Sequence, residues 1–600
     1  MSAENLTLAG EFATPTRERW LELVDGVLKG ASFEQKLVTQ TYDGVAIQPL
    51  YTADTPVTDG LPGVAPFVRG SRAAGQLGGW DVRQYHADPD PVATNTAILA
   101  DLERGVTSIW LRVGGNGVPV EDLDRALDGV YVDLAPVVLE IAGDAVRAVE
   151  ALESVWSARG VPPSAALGNF GLDLTSGQIS MHDAAAVAVR CARSYASVRS
   201  IVVDGSAVNA QGGSDVDELG CMLAIGAMYL RALAAADSLD IDAAFAQLEF
   251  RLAATNDQFS TIAKMRAARR LWARVAEACG ASAAAAPMRQ HAVTSRAMLT
   301  QRDPWVNILR STVACFSAGL GGADAITVLP FDDAIGLPDG FARRIARNTQ
   351  AVLIHEANIA RVLDPGGGSW YIESLTDDFA RAAWGWFQQI EAAGGWDTAT
   401  ASGLISQQIE RTRDKRAVNV AKRRQLITGV TEFPDIGEAR VTRDRPPSTT
   451  VERYAAPFEA LRDRCDAAAA AGTRPAIFLA NVGPIAAHAA RAGFARTFFE
   501  IGGVDAPGSD ALDDAASAAA AFRASGLTHV VICSSDNLYD THAVPVARAL
   551  RAAGASRIFL AGNPGDNRER FVAAGVDEFI YVGCDALDIL GRAIATLGVA

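Results

Sequence analysis

Ser200-Ile201-Val202-Val203 is followed by an apolar, alanine-rich run from Val216 to Ala234, and then by Leu248-Glu249-Phe250-Arg251-Leu252. The two short runs are rich in β-branched and aromatic residues, and the run between them is long enough only for a helix. Strand, helix, strand at this spacing reads as a parallel β/α unit. The same grammar extends outward. Further strand-like runs are Ser108–Val113, Val137–Ile141, Gly168–Leu174 and Ala325–Leu329, and Ala184–Tyr195 is a further helical stretch. The length covered, residues 41–395, suits a (β/α)8 barrel of TIM type with additions.

Residues 1–40 are polar and helix-prone, with one amphipathic stretch at Arg17–Leu28, and read as an N-terminal arm. Residues 376–424 look helical, the first helix opening at Thr376-Asp377-Asp378 and burying Phe379, Ala383, Trp386 and Phe387. Four prolines and many polar residues between Thr431 and Pro457 mark a surface linker, so residues 396–472 form a helical and proline-rich connection. The chain then restarts. Ala476–Ala480, Thr497–Ile501, His529–Cys533, Ile558–Ala561 and Phe579–Val582 read as strands. Ile485–Ala492, Ser509–Ala524, Ala543–Ala552, Asn567–Ala574 and Ala586–Leu597 read as helices. Five βα units in residues 473–600 indicate a small doubly wound, flavodoxin-like sheet.

Composition sets the outer limits. A chain of 600 residues exceeds what one core supports, so two or more domains are expected. The net charge of −16 argues against nucleic acid or an anionic membrane as the main partner. No run is read as long and apolar enough to span a bilayer, and the N-terminus lacks a signal pattern, so Asn5-Leu6-Thr7 is a chance sequon and the cytoplasm is the expected location. The cysteines at 191, 221, 279, 315, 465, 533 and 584 include no CxxC pair and are expected to be free thiols, mostly buried. There is no Walker loop, no GxGxxG after a strand and no GxSxG elbow. His355-Glu356-Ala357-Asn358-Ile359 starts like a zinc helix but has Ile359 where the second histidine belongs, so His355 is a packed polar residue.

Four strings carry more information: Gly79-Trp80-Asp81-Val82-Arg83-Gln84-Tyr85, Ala263-Lys264-Met265-Arg266-Ala267-Ala268-Arg269-Arg270-Leu271-Trp272, Arg343-Arg344-Ile345-Ala346-Arg347-Asn348-Thr349-Gln350 and Asp364-Pro365-Gly366-Gly367-Gly368-Ser369-Trp370-Tyr371-Ile372-Glu373. Together, and in this order, they resemble the adenosylcobalamin-dependent methylmalonyl-CoA mutase family. The resemblance runs from about residue 40 to the C-terminus. It implies a barrel that takes acyl-CoA along its axis and a flavodoxin-like domain that carries cobalamin.

The same resemblance implies a ligand set that this chain departs from. Catalytic members carry a lysine followed by D-x-H-x-x-G, whose histidine ligates cobalt and whose aspartate orients it. Here the turn reads Asn481-Val482-Gly483-Pro484-Ile485-Ala486-Ala487-His488. Aligned on Gly483, the lysine falls on Asn481, the aspartate on Ile485 and the histidine on Ala487. His488 is one residue late, a swing of about 100° on a helix. The G-Y-H histidine that donates to the thioester carbonyl falls on Ala207, and T-H-R-G-Y has no counterpart. Tyr85 matches a tyrosine over the reacting centre, and its simpler reading is an aromatic packed near the barrel mouth.

The expectation is therefore a small, non-catalytic chain with no catalytic, cofactor-binding or metal-binding residues. It would support a large methylmalonyl-CoA mutase subunit in a heterodimer, and that large subunit would bring adenosylcobalamin and the acyl-CoA site. The assembled enzyme would interconvert methylmalonyl-CoA and succinyl-CoA. Glu and Arg pairs, the arm and the second domain are the expected contact elements. One alternative is an active mutase on a related acyl-CoA with an unrecognised cobalamin site. The other is a binding module that holds acyl-CoA alone.

Overall fold

The computed structural model describes residues 15–54, 60–75, 78–235, 239–447, 449 and 451–599. The arm before residue 15, with the Asn5 sequon, and Ser448 of the linker lie outside them. Eight parallel strands close into a barrel in chain order: β1 Asp81–His86, β2 Ser108–Val113, β3 Val137–Ile141, β4 Gly168–Leu172, β5 Val198–Asp204, β6 Leu248–Ala254, β7 Gln290–Thr294 and β8 Ala325–Thr327. β8 pairs with β1 through Ala325↔Asp81, which removes both sheet edges. Several connecting helices start on a side-chain cap: Asp90, Asp144, Ser180, Asp257 and Asp339 each accept from backbone N–H groups of the first turn.

The sequence reading missed β1 and β7. Both are dense in polar residues with no clean alternation; Arg83 and His291 turn into the lumen, while His86 and Gln290 meet Asp101 and Arg269 of the surrounding helices. It also opened one helix too late. That helix runs Trp370–Ala392 from Ser369, and Thr376 lies inside it, its hydroxyl donating to the Ile372 carbonyl. Phe379, Ala383, Trp386 and Phe387 are buried as expected.

The helix Asp215–Ala235 amends the expectation about membrane spans. By length and composition it could cross a bilayer, yet it is a core helix, 78% buried over its most apolar stretch. It packs under Trp370–Ala392 at glycine: a Cβ on Gly220 would sit 2.4 Å from Trp386 Cδ1.

The C-terminal sheet holds β9 Phe478–Asn481, β10 His529–Cys533, β11 Arg557–Ala561 and β12 Glu578–Ile580, all parallel and in that order. The expected strand at Thr497–Ile501 is instead the end of the helix Ile485–Glu500. Ala492, Ala495 and Phe499 share the helical spacing of a buried face, which overrides the strand propensity of Thr497, Phe498 and Phe499. The second edge of the sheet comes later, where Asp505 and Gly508 bridge to Ala476 and Leu479 beside β9. Counting that segment, the order is the flavodoxin order 2-1-3-4-5. The next helix runs Ala515–Ser525, later than expected, while Asp536–Ala552 starts earlier.

Between the two sheets the chain does more than wander. Arg443 pairs with Asp332, Arg445 pairs with Asp88, and the Thr449 hydroxyl accepts from Arg112, so the linker crosses the barrel mouth. Arg302, just after β7, reaches Asp463 at 2.6 Å and Asp466 at 2.5 Å on the helix Ala456–Ala470, which packs on the C-terminal sheet. All seven cysteines are free, and only Cys279 is exposed. His355 lies exposed on a one-turn π-helix, Val352–Glu356, and is not packed.

Candidate functional site: the barrel lumen and the turn at 481–488

On β6, Glu249 and Arg251 alternate with Leu248, Phe250 and Leu252, so period two turns both charges to one face. That face is the lumen. Arg83 on β1 donates from Nη1 to Glu249 Oε1 at 2.6 Å, although β8 and β7 stand between β1 and β6 in the barrel wall. The pair therefore meets across the axis. Asp81 and Ser108 also hold the Arg83 guanidinium, each at 3.1 Å, and Arg289 reaches the second Glu249 oxygen at 3.2 Å. Burial alone would raise the Glu249 pKa, but the Arg83 and Arg289 guanidiniums outweigh it and hold the carboxyl well below its usual range.

A second layer lies above the first. The Arg251 guanidinium sits 4.2 Å over the Trp110 ring, and the His291 ring meets Trp110 edge-on at 5.3 Å. Trp110 is on β2, so these contacts too span the lumen. His291 Nε2 lies 2.8 Å from Thr327 Oγ1, and Arg251 Nε points at Nδ1 from 3.5 Å. An acceptor at Nδ1 makes Nε2 the protonated nitrogen of a neutral ring. Burial first, then Arg83 and Arg251, drives the His291 pKa well below its ordinary value. Arg83, Trp110, Glu249 and His291 are all buried, and they fill the passage along which the family resemblance would run acyl-CoA.

Above these layers a cavity of about 630 Å³ opens at the C-terminal ends of the strands. Its charged lining is paired: Arg112 with Glu140 at 2.6 Å, Arg251 with Asp204 at 3.0 Å, and Arg296 with Asp333 at 3.0 Å. Burial, then the neighbouring Asp204 charge, raises the Asp173 pKa. Ala207 lies in this wall and offers a methyl group where an imidazole donor is expected. Tyr85 is buried, its ring 4.4 Å from Trp110 and 5.1 Å beneath the Arg296 guanidinium. Val451 and Glu452 of the linker and Ile409 of the helix Leu404–Ala421 line the far side of the cavity.

The turn that follows β9 is where the family resemblance puts the cobalamin ligand. The Asn481 amide donates to the Ser509 carbonyl at 2.7 Å. Ile485 is 71% exposed, and Ala487 carries no donor atom. His488 is buried and shares the inward stripe of its helix with Ala492, Ala495 and Phe499. Neither of its ring nitrogens has a hydrogen-bond partner. The turn does not present the group with a ligand and an orienting carboxylate. Among the described residues, no cluster of three or more His, Cys, Asp or Glu could hold a metal ion.

The sequence reading missed the lumen residues Arg83, Trp110, Glu249, Arg251 and His291. Their signal was present: charges at alternate positions of a strand whose other face is apolar mark a polar interior.

Comparisons with known proteins agree with this architecture. The family model described as methylmalonyl-CoA mutase matches residues 40–114 and 111–495. A methylmalonyl-CoA mutase small subunit from Streptomyces virginiae is 50% identical, over 100% of this chain and 99% of that protein. The small subunit from Propionibacterium freudenreichii subsp. shermanii is 38% identical, over 100% and 98%. A protein named methylmalonyl-CoA mutase from Cereibacter sphaeroides is 32% identical, over 70% of this chain and 64% of that protein.

Proposed function

Because this chain belongs to the methylmalonyl-CoA mutase family, we propose that it is the small, non-catalytic subunit of a heterodimeric mutase that interconverts methylmalonyl-CoA and succinyl-CoA. Adenosylcobalamin and the acyl-CoA site then belong to a large subunit, and this chain supplies no catalytic, cofactor-binding or metal-binding residue. The observation that carries the non-catalytic part is the lumen. Arg83 and Glu249, then Trp110, Arg251 and His291, meet across the axis where a thioester and its arm would have to pass. Full-length similarity to small subunits supports the partnership. The radical rearrangement is the cofactor's chemistry, so a chain without a ligand turn contributes through assembly.

We place the domains at residues 41–395 and 473–600, a division supported by the separate hydrophobic clusters of the barrel and the C-terminal sheet. We place the chain in the cytoplasm, a reading supported by its seven unpaired cysteines.

The test is direct. The purified chain is mixed with adenosylcobalamin and passed through a desalting column, and no cobalamin absorbance should travel with it. Mutase activity should appear only when a large subunit is added, in a 1:1 complex. A stoichiometric red protein, or turnover by this chain alone, overturns the reading.

A further inference from the structure

Helices on the outside of a barrel normally turn charge to water. The helix Ala145–Ala158 exposes Arg147 and Glu150, and Met181–Ser194 exposes His182, Asp183 and Arg190. The helix Val306–Leu320 does not. Its one charged residue, Arg310, is buried and donates to Asn307 Oδ1 at 2.8 Å and to the Thr428 carbonyl at 2.5 Å. At its start, Trp305 is 49% exposed; along the same face Leu309 is 66% and Val313 36% exposed. Spacing by four places the three in one row. Phe341 of the neighbouring helix Gly340–Ala351 is 45% exposed, with its ring 6.4 Å from Trp305. The Arg344 guanidinium lies 5.6 Å from Phe341 at the margin.

We infer that this face, Trp305, Leu309 and Val313 with Phe341, is where the chain docks its large partner subunit. The inference rests on the small-subunit reading and adds a surface to it. An apolar row with an arginine at its rim has the make-up of a permanent interface. The row is continuous over two turns and carries no charge, which is a liability on a chain that stays alone. The occupant follows from the family. A protein named simply methylmalonyl-CoA mutase aligns with 70% of this chain, and we take the partner that the small-subunit relatives imply to be a chain of that like fold. Two like folds pair most readily about a pseudo-twofold axis, each giving the same patch to the other. The partner's equivalent helix is therefore the surface that meets this one.

The experiment co-expresses the full chain with the large mutase subunit of the same organism and measures assembly by size-exclusion chromatography with light scattering. Leu309→Glu should weaken the 1:1 complex at least a hundredfold, while the variant alone keeps the wild-type circular dichroism and melting temperature. Ala158→Glu, on the far Ala145–Ala158 helix, should assemble like the wild type. Should Leu309→Glu fail to fold, Leu309→Gln is the second variant, with about tenfold weaker assembly expected. Wild-type assembly by a folded Leu309 variant overturns this face and leaves the small-subunit reading standing. A wild-type chain that ignores the large subunit overturns both. A homodimer that Leu309→Glu breaks and the large subunit does not displace gives the face to a second copy of this chain, and the inference is wrong.

Discussion

In the barrel, three arginines, a glutamate and a histidine crowd the lumen around Trp110; at the head of the C-terminal sheet, Ile485, Ala486 and Ala487 present only carbon. The two regions stand where the family resemblance places substrate and cofactor, and they differ in how tightly their residues depend on each other. Arg83 and Glu249 form a buried charge pair that the partly exposed Arg289 joins, and Trp110, Arg251 and His291 stack on it. Removing Arg83 or Glu249 leaves the other's buried charge short of its partner. The turn has no such coupling. Its one buried polar side chain besides Asn481, the His488 imidazole, donates to nothing and accepts from nothing. Filling a site thus commits a fold, whereas emptying one leaves it free to vary.

Glu249→Ala is expected to have the largest effect, because it takes from Arg289 its carboxylate and leaves the buried Arg83 with Asp81 as its one carboxylate and the Ser108 hydroxyl. Breaking a buried pair from one side costs about 4 kcal/mol, read by chemical denaturation. The Glu249 pKa is depressed in the fold, so its contribution is present above the ordinary glutamate range and fades as pH falls through it. The gap between wild type and variant should narrow below about pH 4. A variant as stable as the wild type would show that the lumen is not a coupled unit. Trp110→Ala comes next at about 3 kcal/mol, the low end for this change, since the mouth cavity lets water enter the space. It should not create mutase activity, because Arg83 and Glu249 still cross the axis below.

The third expectation separates the regions by pH. His291 is held neutral, and burial with the nearby Arg343 pushes the His86 pKa down to about 3. Both rings are charged in the unfolded chain below about pH 6.5 and neutral in the fold. Stability must therefore fall as pH falls through that value, by about 2 kcal/mol per ring at pH 5. His291→Gln should remove about half of the slope. Hydrogen exchange at matched pH steps should place the larger acid-dependent loss in the barrel strands and a smaller one at β10, where burial and then Arg557 also lower the His529 pKa. A uniform loss across both sheets would break the comparison.

Much of the architecture was legible in the sequence. β2, β3 and β10 have the bounds their apolar runs suggest, and the other strands that were read shift by a few residues, apart from Thr497–Ile501. The failures have one physical source. β1 reads Asp81-Val82-Arg83-Gln84-Tyr85-His86, and its polar positions look like a loop until barrel closure gives Arg83 an interior and the outer helix buries His86 against Asp101. Thr497–Ile501 failed in the opposite sense: local β propensity lost to the helical stripe that buries Phe499. For the sites, the side chains of the turn at 481–488 are read straight from the sequence because they are neighbours in the chain. The alternating charges of β6 were legible too, but their pairing was not, because Arg83 and Glu249 are 166 residues apart and only barrel closure brings them together. The path of the linker over the mouth follows from Arg443 and Arg445 finding Asp332 and Asp88, which no local pattern encodes.

The smallest effect is expected at His488, and its sign is what matters. The ring is buried, shares the apolar stripe of Ala492 and Ala495, and has no hydrogen-bond partner at either nitrogen. A buried polar group in that state is a cost of about 1–3 kcal/mol that an apolar side chain does not carry. Leucine loses that cost and keeps most of the packing volume. His488→Leu should therefore be neutral or stabilising by up to about 1 kcal/mol, read by urea denaturation of the chain and of its complex. Turnover per assembled enzyme should be unchanged, since the ring faces the helix packing and not the turn. A destabilisation above about 2 kcal/mol would mean that the imidazole has a partner the fold depends on. A loss of turnover at intact assembly would mean more: the turn would hold chemistry after all, and the contrast between a filled lumen and an emptied turn would fail at the one residue able to carry it.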